Sequence, residues 1–282
     1  MKSLKYILSL IFIAFLIVGC SDDDTGLDPD PVLDLHKLAE FLEENYLIEI
    51  YSKKQQLEVG YNELSIRIKD IASDTYLKNV SPEWEPVMDM GDMEHGAPHS
   101  YLRLNSNDAR YSGYIIFQMA GDHHHGWELN LKFNHNNTNW TYSYPITVRE
   151  SSGGLVKTQT FTGADDEHYI LAYMQPEKPE VKINDMEAIL YKMEDMMTFS
   201  IVENFTIPID PRMPSMGNHS SPNNRDLSYS PTSETYKGKL SLSMTGYWKI
   251  NLKLLNENGE LIKGEDVTEE HPSSSLYFEI EF

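Results

Sequence analysis

The chain has 282 residues, 24% of them charged, and a formal net charge of −21 at pH 7. No Lys/Arg run interrupts this acidic balance, which argues against nucleic acid and anionic headgroups as partners. A single cysteine, Cys20, leaves the rest of the chain without disulfides, thiolate catalysis or Cys-type metal sites.

Lys2 and Lys5 make a positive start, and Tyr6 to Val18 is almost wholly apolar. A run of about a dozen such residues suits a signal h-region and is short for a bilayer span. It closes on Ile17-Val18-Gly19-Cys20, which resembles a bacterial lipobox with Cys20 as the first mature, lipid-bearing residue. An uncleaved membrane anchor is the alternative. Residues 1–20 are therefore expected to be a lipoprotein signal, with membrane attachment through the lipid on Cys20. Ser21-Asp22-Asp23-Asp24 follows and admits two readings. It resembles the surface-export signal of Bacteroidetes-type lipoproteins, or it is a plain solvated stretch of the acidic tether expected over 21–35. The expected location is the cell envelope, at the outer membrane and surface-exposed if the export reading holds.

Leu35, Leu38, Phe41 and Leu42 fall on one helical face, so a helix is expected within 33–46. Beyond it the clear signals have period two. Trp127, Leu129, Leu131 and Phe133 alternate with Glu128, Asn130 and Lys132; Trp248, Ile250, Leu252 and Leu254 do the same against Lys249, Asn251 and Lys253. Leu240, Leu242 and Met244 alternate with Lys239, Ser241 and Ser243, and Leu276, Phe278, Ile280 and Phe282 with Tyr277, Glu279 and Glu281. Such half-buried strands predict antiparallel sheets with one wet face.

These segments belong to an internal repeat. Met90-Gly91-Asp92-Met93-Glu94-His95 returns as Met213-Pro214-Ser215-Met216-Gly217-Asn218-His219, Tyr111-Ser112-Gly113 as Tyr236-Lys237-Gly238, and Met119-Ala120-Gly121…Trp127 as Met244-Thr245-Gly246-Tyr247-Trp248. The offsets from Met90 to Met213, Tyr111 to Tyr236 and Trp127 to Trp248 are 123, 125 and 121 residues, the size of one domain. Two β-sandwiches are expected, over 36–155 and 165–282. Both repeats resemble the YtkA-like domain, an immunoglobulin-like sandwich related to the FixH group, chiefly over 84–133 and 208–254. That resemblance implies an extracytoplasmic protein in a setting tied to copper handling or oxidase assembly.

The residues carry the same suggestion by their own chemistry. A thioether is a soft, neutral ligand that needs no deprotonation, and with imidazole it suits Cu(I) better than Zn²⁺. Met90, Met93 and His95 form one candidate ligand set, and Met213, Met216 and His219 the other, with the spacing to histidine differing by one residue. Met88 and His99 flank the first set, and His123-His124-His125 is inserted before Trp127. In an extended segment His123 and His125 share a face while His124 does not. Met119 and Met244 are read as inward-facing core residues, and His36, His135, His168 and His271 as surface residues.

No Gly-x-Ser-x-Gly elbow, phosphate-binding glycine loop, His-Glu-x-x-His or calcium loop occurs, so an enzyme is not expected. Two functions compete: a lipid-anchored protein that captures, buffers or delivers copper, and a metal-free interaction module that docks an envelope protein or a glycan. Exposed aromatics would favour the second, with Tyr101, Tyr111, Trp140, Tyr142 and Tyr144 as contributors.

Overall fold

Alternation along Trp127–His135 is realised as burial of every second residue, because the strand lies inside a sheet with one face on a core. In the computed structural model, which describes Val32 and residues 34–122 and 125–282, this strand pairs antiparallel with Thr138–Ile146 and with Glu83–Asp89. Asn136 and Asn137, both at positive φ, form the two-residue turn of the first pair, the conformation for which asparagine is favoured. Glu94–Gly96 completes a four-stranded sheet. A six-stranded sheet carries His36–Leu42, Tyr46–Ser52, Gly60–Asp70, Arg110–Phe117 and Arg103–Asn105 in that order, with Thr75–Tyr76 beside Gly60–Asp70. The two sheets share a core that includes Ile48, Leu64, Ile66, Trp84, Trp127 and Leu131.

The second half repeats the plan. Ile209–Met213, Tyr247–Leu252, Leu276–Glu281 and the short His219–Ser220 form a four-stranded sheet. A nine-stranded sheet is built around His168–Gln175, Ile183–Met193 and Thr235–Ser241, and Leu190, Tyr236, Trp248 and Phe278 lie in the core between the two. The fold is all-β, its mainly antiparallel sheets packed as two β-sandwiches in succession. Val148–Arg149 with Leu57–Glu58 is the one parallel pair among the described strands. Thr158–Thr162 pairs with His168–Gln175, so the second sandwich starts ahead of residue 165. Cys20, the acidic run and His123 lie outside the described residues.

Three readings need correction. No helix forms near residue 40. His36–Leu42 is a strand against Tyr46–Ser52, and a bulge between Lys37 and Ala39 breaks the alternation. Leu38, Ala39 and Phe41 therefore all pack on the core, at a spacing that imitates a helical face. His135 is buried rather than superficial, with its Nδ1 hydrogen-bonded to the Tyr46 hydroxyl at 2.8 Å. Met119 lies beyond the strand that ends at Phe117 and is exposed, whereas Met244, just past the strand that ends at Ser241, packs on the second core as read.

A third apolar cluster lies between the sandwiches. Ile116 from one sheet and Ile170, Ala172, Ile189 and Tyr191 from the other are buried on what would be the outer faces. Tyr61, Tyr114, Phe199 and Ile201 pack around them, and the hydroxyls of Tyr114 and Tyr191 meet at 2.8 Å. Val32–Phe282 is consequently one compact unit.

Candidate functional site

Strand register gives an alignment of the two Met/His segments that differs from the one read along the sequence. Met88 stands opposite Trp127 on one neighbouring strand and opposite His95 on the other. In the second half Met213 stands opposite His219, and because Arg212 pairs with Lys249, Met213 is next in line toward Trp248. The structural counterpart of Met213 is therefore Met88, not Met90. Both are core residues, 2% and 3% exposed.

The other repeated motifs are architectural. The Tyr111 hydroxyl donates to the Leu77 carbonyl and the Tyr236 hydroxyl to the Val202 carbonyl, each across a separation of 34 residues. Two residues on, a Cβ at Gly113 would stand 2.7 Å from Trp84 Cζ2 and 2.8 Å from Ser100 Oγ, while one at Gly238 would collide with the backbone carbonyls of Arg225 and Asp226. Glycine is required there by close approach. The indoles of Trp127 and Trp248 donate to the carbonyls of Met119 and Met244, each at 3.0 Å, so in this motif the methionine contributes backbone rather than sulfur. A fourth repeat escaped the sequence reading. Asn62 and Asn184, both buried, each donate to carbonyls four and two residues back and accept the N–H four residues back.

What remains for chemistry is the end of the first four-stranded sheet. Residues 90–93 form the turn of a hairpin, closed by the Met90 N–H donating to the Met93 carbonyl at 3.0 Å and the Gly91 N–H to Asp89 Oδ1 at 2.7 Å. Gly91 takes φ +84°, a conformation glycine adopts without strain. Met90 packs partly on the core, and Met93 at the tip is 54% exposed. His95 returns beside Met88, 8% exposed, and its Nδ1 has no hydrogen-bond partner among the described residues. Directly opposite positions place Cβ atoms about 4.5–5.5 Å apart, within reach of a shared ligand. The Asp89 N–H donates to the Gly126 carbonyl at 3.4 Å, bringing Gly126 and the preceding His125 to the same end. There Nδ1 of His125 donates to Asp122 Oδ2 at 3.3 Å, the kind of carboxylate contact that fixes the tautomer of a metal-ligating imidazole.

The structure adds two methionines to this neighbourhood. The turn Glu194–Thr198 of the second half, capped by Asp195 Oδ1 accepting the N–H groups of Met197 and Thr198 at 2.8 Å, closes on the hairpin. Its Met196 carbonyl accepts the Gly96 N–H at 2.8 Å, Met197 Cα lies 3.3 Å from where a Cβ of Gly96 would be, and the Phe199 ring is 6.3 Å from His95. Adjacent methionines in a polar turn, Asp195-Met196-Met197-Thr198, were the available signal.

His99 is held elsewhere. Its Nδ1 donates to the Ala97 carbonyl at 2.8 Å, and it lines a cleft of about 410 Å³ with Trp84, Tyr101, Asn130 and Lys132. In the second half Met216 is 57% exposed and His219 is exposed, while Met213 points into the core. Of the suggested contact aromatics, Tyr111 and Tyr144 are buried, Trp140 and Tyr142 are partly buried against the core, and Tyr101 is 89% exposed. Among the described residues no three His, Cys, Asp or Glu side chains converge in a group that could hold a metal ion.

No family model matches the chain, and no curated protein matches it. Among solved structures it is similar, at 12% identity and a TM-score of 0.27, to FdeC, a broadly conserved Escherichia coli adhesin. The similarity covers 86% of this chain, and the chain spans 65% of that one.

Proposed function

We propose that this is an extracytoplasmic copper-binding protein that holds Cu(I) at the hairpin end of its first sandwich. The observation that carries the reading is His95: a buried imidazole with an orphaned nitrogen, cross-strand from Met88, in a hairpin whose tip exposes Met93. An unpaired buried polar atom costs about 1–3 kcal/mol, a cost that a bound soft cation would remove. Neutral thioethers and imidazole fit Cu(I). Met88, Met90, Met93 and His95 are the proposed ligands, with His125 and the Met196-Met197 turn as further donors beside them. The second hairpin is the poorer candidate, since His219, which stands opposite Met213 as His95 stands opposite Met88, is exposed and leaves no buried imidazole there.

The reading extends to a YtkA-like identity for both sandwiches and to a lipid anchor on Cys20 at the outer membrane, which together would make the protein a tethered carrier rather than an enzyme. A metal-free docking module is the second reading, and Tyr101 beside its cleft favours it. Anaerobic Cu(I) titration against a chromophoric chelator separates the two. Binding near one equivalent, lost in Met93→Leu/His95→Ala, supports the carrier. No competition at micromolar protein leaves the docking module.

A further inference from the structure

Away from the hairpins, a cavity of about 360 Å³ opens where the linker crosses the seam between the sandwiches. Its walls come from 52–63 of the first half, 151–157 of the linker and 173–178 of the second half. Val59, Tyr61, Leu155, Tyr173, Met174 and Pro176 give it an apolar and aromatic lining. Two half-buried ammonium groups stand in it. Lys54 Nζ donates to the Tyr61 carbonyl at 2.9 Å, and Lys157 Nζ lies 4.5 Å from the centroid of the Tyr173 ring.

Neither lysine makes an ion pair among the described residues, and the neighbouring carboxylates are engaged elsewhere. Glu63 holds Lys53 at 2.9 Å, Glu58 accepts from Ser152 and Gln56, and Glu279 accepts the Val156 N–H and the Tyr247 hydroxyl. Glu177 and Lys178 stand exposed on the rim. Burial, and then the charge of Lys54, push Lys157 down to about 8; burial likewise lowers Lys54. In a chain with 44 acidic and 23 basic residues, two cations without a direct ion pair stand in one cavity, where Glu58 acts on both, Glu177 on Lys54 and Glu279 on Lys157 without contact. Burying a charge without a partner is costly, and an anion accepting from both ammoniums would offset that cost through charge-assisted hydrogen bonds.

We propose that this cavity binds a small amphipathic organic anion, an aryl or alkyl carboxylate, with its carboxylate on Lys54 and Lys157 and its apolar body against Tyr61, Tyr173 and Met174. The volume lies in the range of small-molecule sites and exceeds what an inorganic anion fills. A ligand there touches both sandwiches and the linker, so its binding stabilises their junction.

The test is titration of benzoate into the full chain labelled with ¹³C-lysine, followed by NMR and calorimetry, with inorganic phosphate run in parallel. The expected result is saturable binding of one equivalent, with the Lys157 titration midpoint rising by about one unit. Lys157→Met should weaken binding by about tenfold or more, while Lys157→Arg, which keeps the charge and guards against loss of fold, stays within about threefold. Lys263→Met, remote from the cavity, should leave binding unchanged. The proposal is overturned if benzoate does not saturate, if phosphate binds as tightly, or if the Lys157 resonance stays fixed while benzoate binds.

Discussion

Replacing Ile116 by alanine tests whether the two sandwiches act as one body. Ile116 lies on the outward face of its own sheet, where a free-standing sandwich would show it to water, yet it is fully buried against Ile170, Ile189 and Tyr191 of the other half. The substitution removes three side-chain carbons, and at about 0.8 kcal/mol per buried methylene the transfer loss is about 2.4 kcal/mol. Incomplete collapse of the space left behind raises the total to about 3–4 kcal/mol. Were the halves independent, an exposed isoleucine would change stability by less than about 0.5 kcal/mol. Urea denaturation followed by tryptophan fluorescence reads the difference, since Trp127 and Trp248 report the first and second cores separately from the seam. The expected outcome is one transition, shifted as a whole. Two transitions, or a shift below about 0.5 kcal/mol, would refute the single-body account.

Other outcomes follow from particular contacts. Tyr236→Phe strips the hydroxyl that donates to the Val202 carbonyl at 2.9 Å and should cost about 1–3 kcal/mol by chemical denaturation, because that carbonyl loses its buried partner. Met88→Leu keeps core volume and should cost less than about 1.5 kcal/mol, while Cu(I) affinity falls by about tenfold or more; an unchanged affinity would remove Met88 from the ligand set. Lys157 is depressed to about 8 from 10.5, so between those values the unfolded chain binds more protons than the folded one and stability rises with pH. Stability profiles of the native protein and Lys157→Met should therefore diverge from pH 8 to 9.5, with the native protein gaining; parallel profiles would contradict the burial of that ammonium.

Much of the architecture is legible in the residues. The strand at Trp127 has one wet face, so its alternation is strict, whereas at Trp248 the polar face is interrupted where Asn251 is buried with its amide on the Asp210 carbonyl. The strand at Leu38 is not legible as one, because its bulge puts successive residues on the same side and mimics a helical period. The seam between the halves is written as unbroken apolar runs, Ile115-Ile116-Phe117, Ile170-Leu171-Ala172 and Ile189-Leu190-Tyr191, the pattern of strands covered on both faces. Such runs do not say which surface covers which, so the joining of the sandwiches stays hidden until they are folded. Within the candidate site, the proximity of Met93, Met90 and His95 is visible from their spacing in one loop. The pairing of Met88 with His95 depends on register, and the approach of Met196-Met197 on tertiary packing, neither of which sequence spacing encodes. The separation of His99 from His95 has the same origin, since an isolated bridge to Ile115 draws it toward a different cleft.

The central claim is that soft ligands gather around His95, and methionine methyl NMR tests it most directly. With ¹³C-methyl-methionine in the full chain and Cu(I) added anaerobically to one equivalent, the methyls of Met88, Met90 and Met93 should shift in slow exchange together with the His95 ring, while Met186, sealed in the second core, stays in place. Shifts confined to Met216 and His219, or none at all at one equivalent, would contradict the assignment of the first hairpin as the copper site.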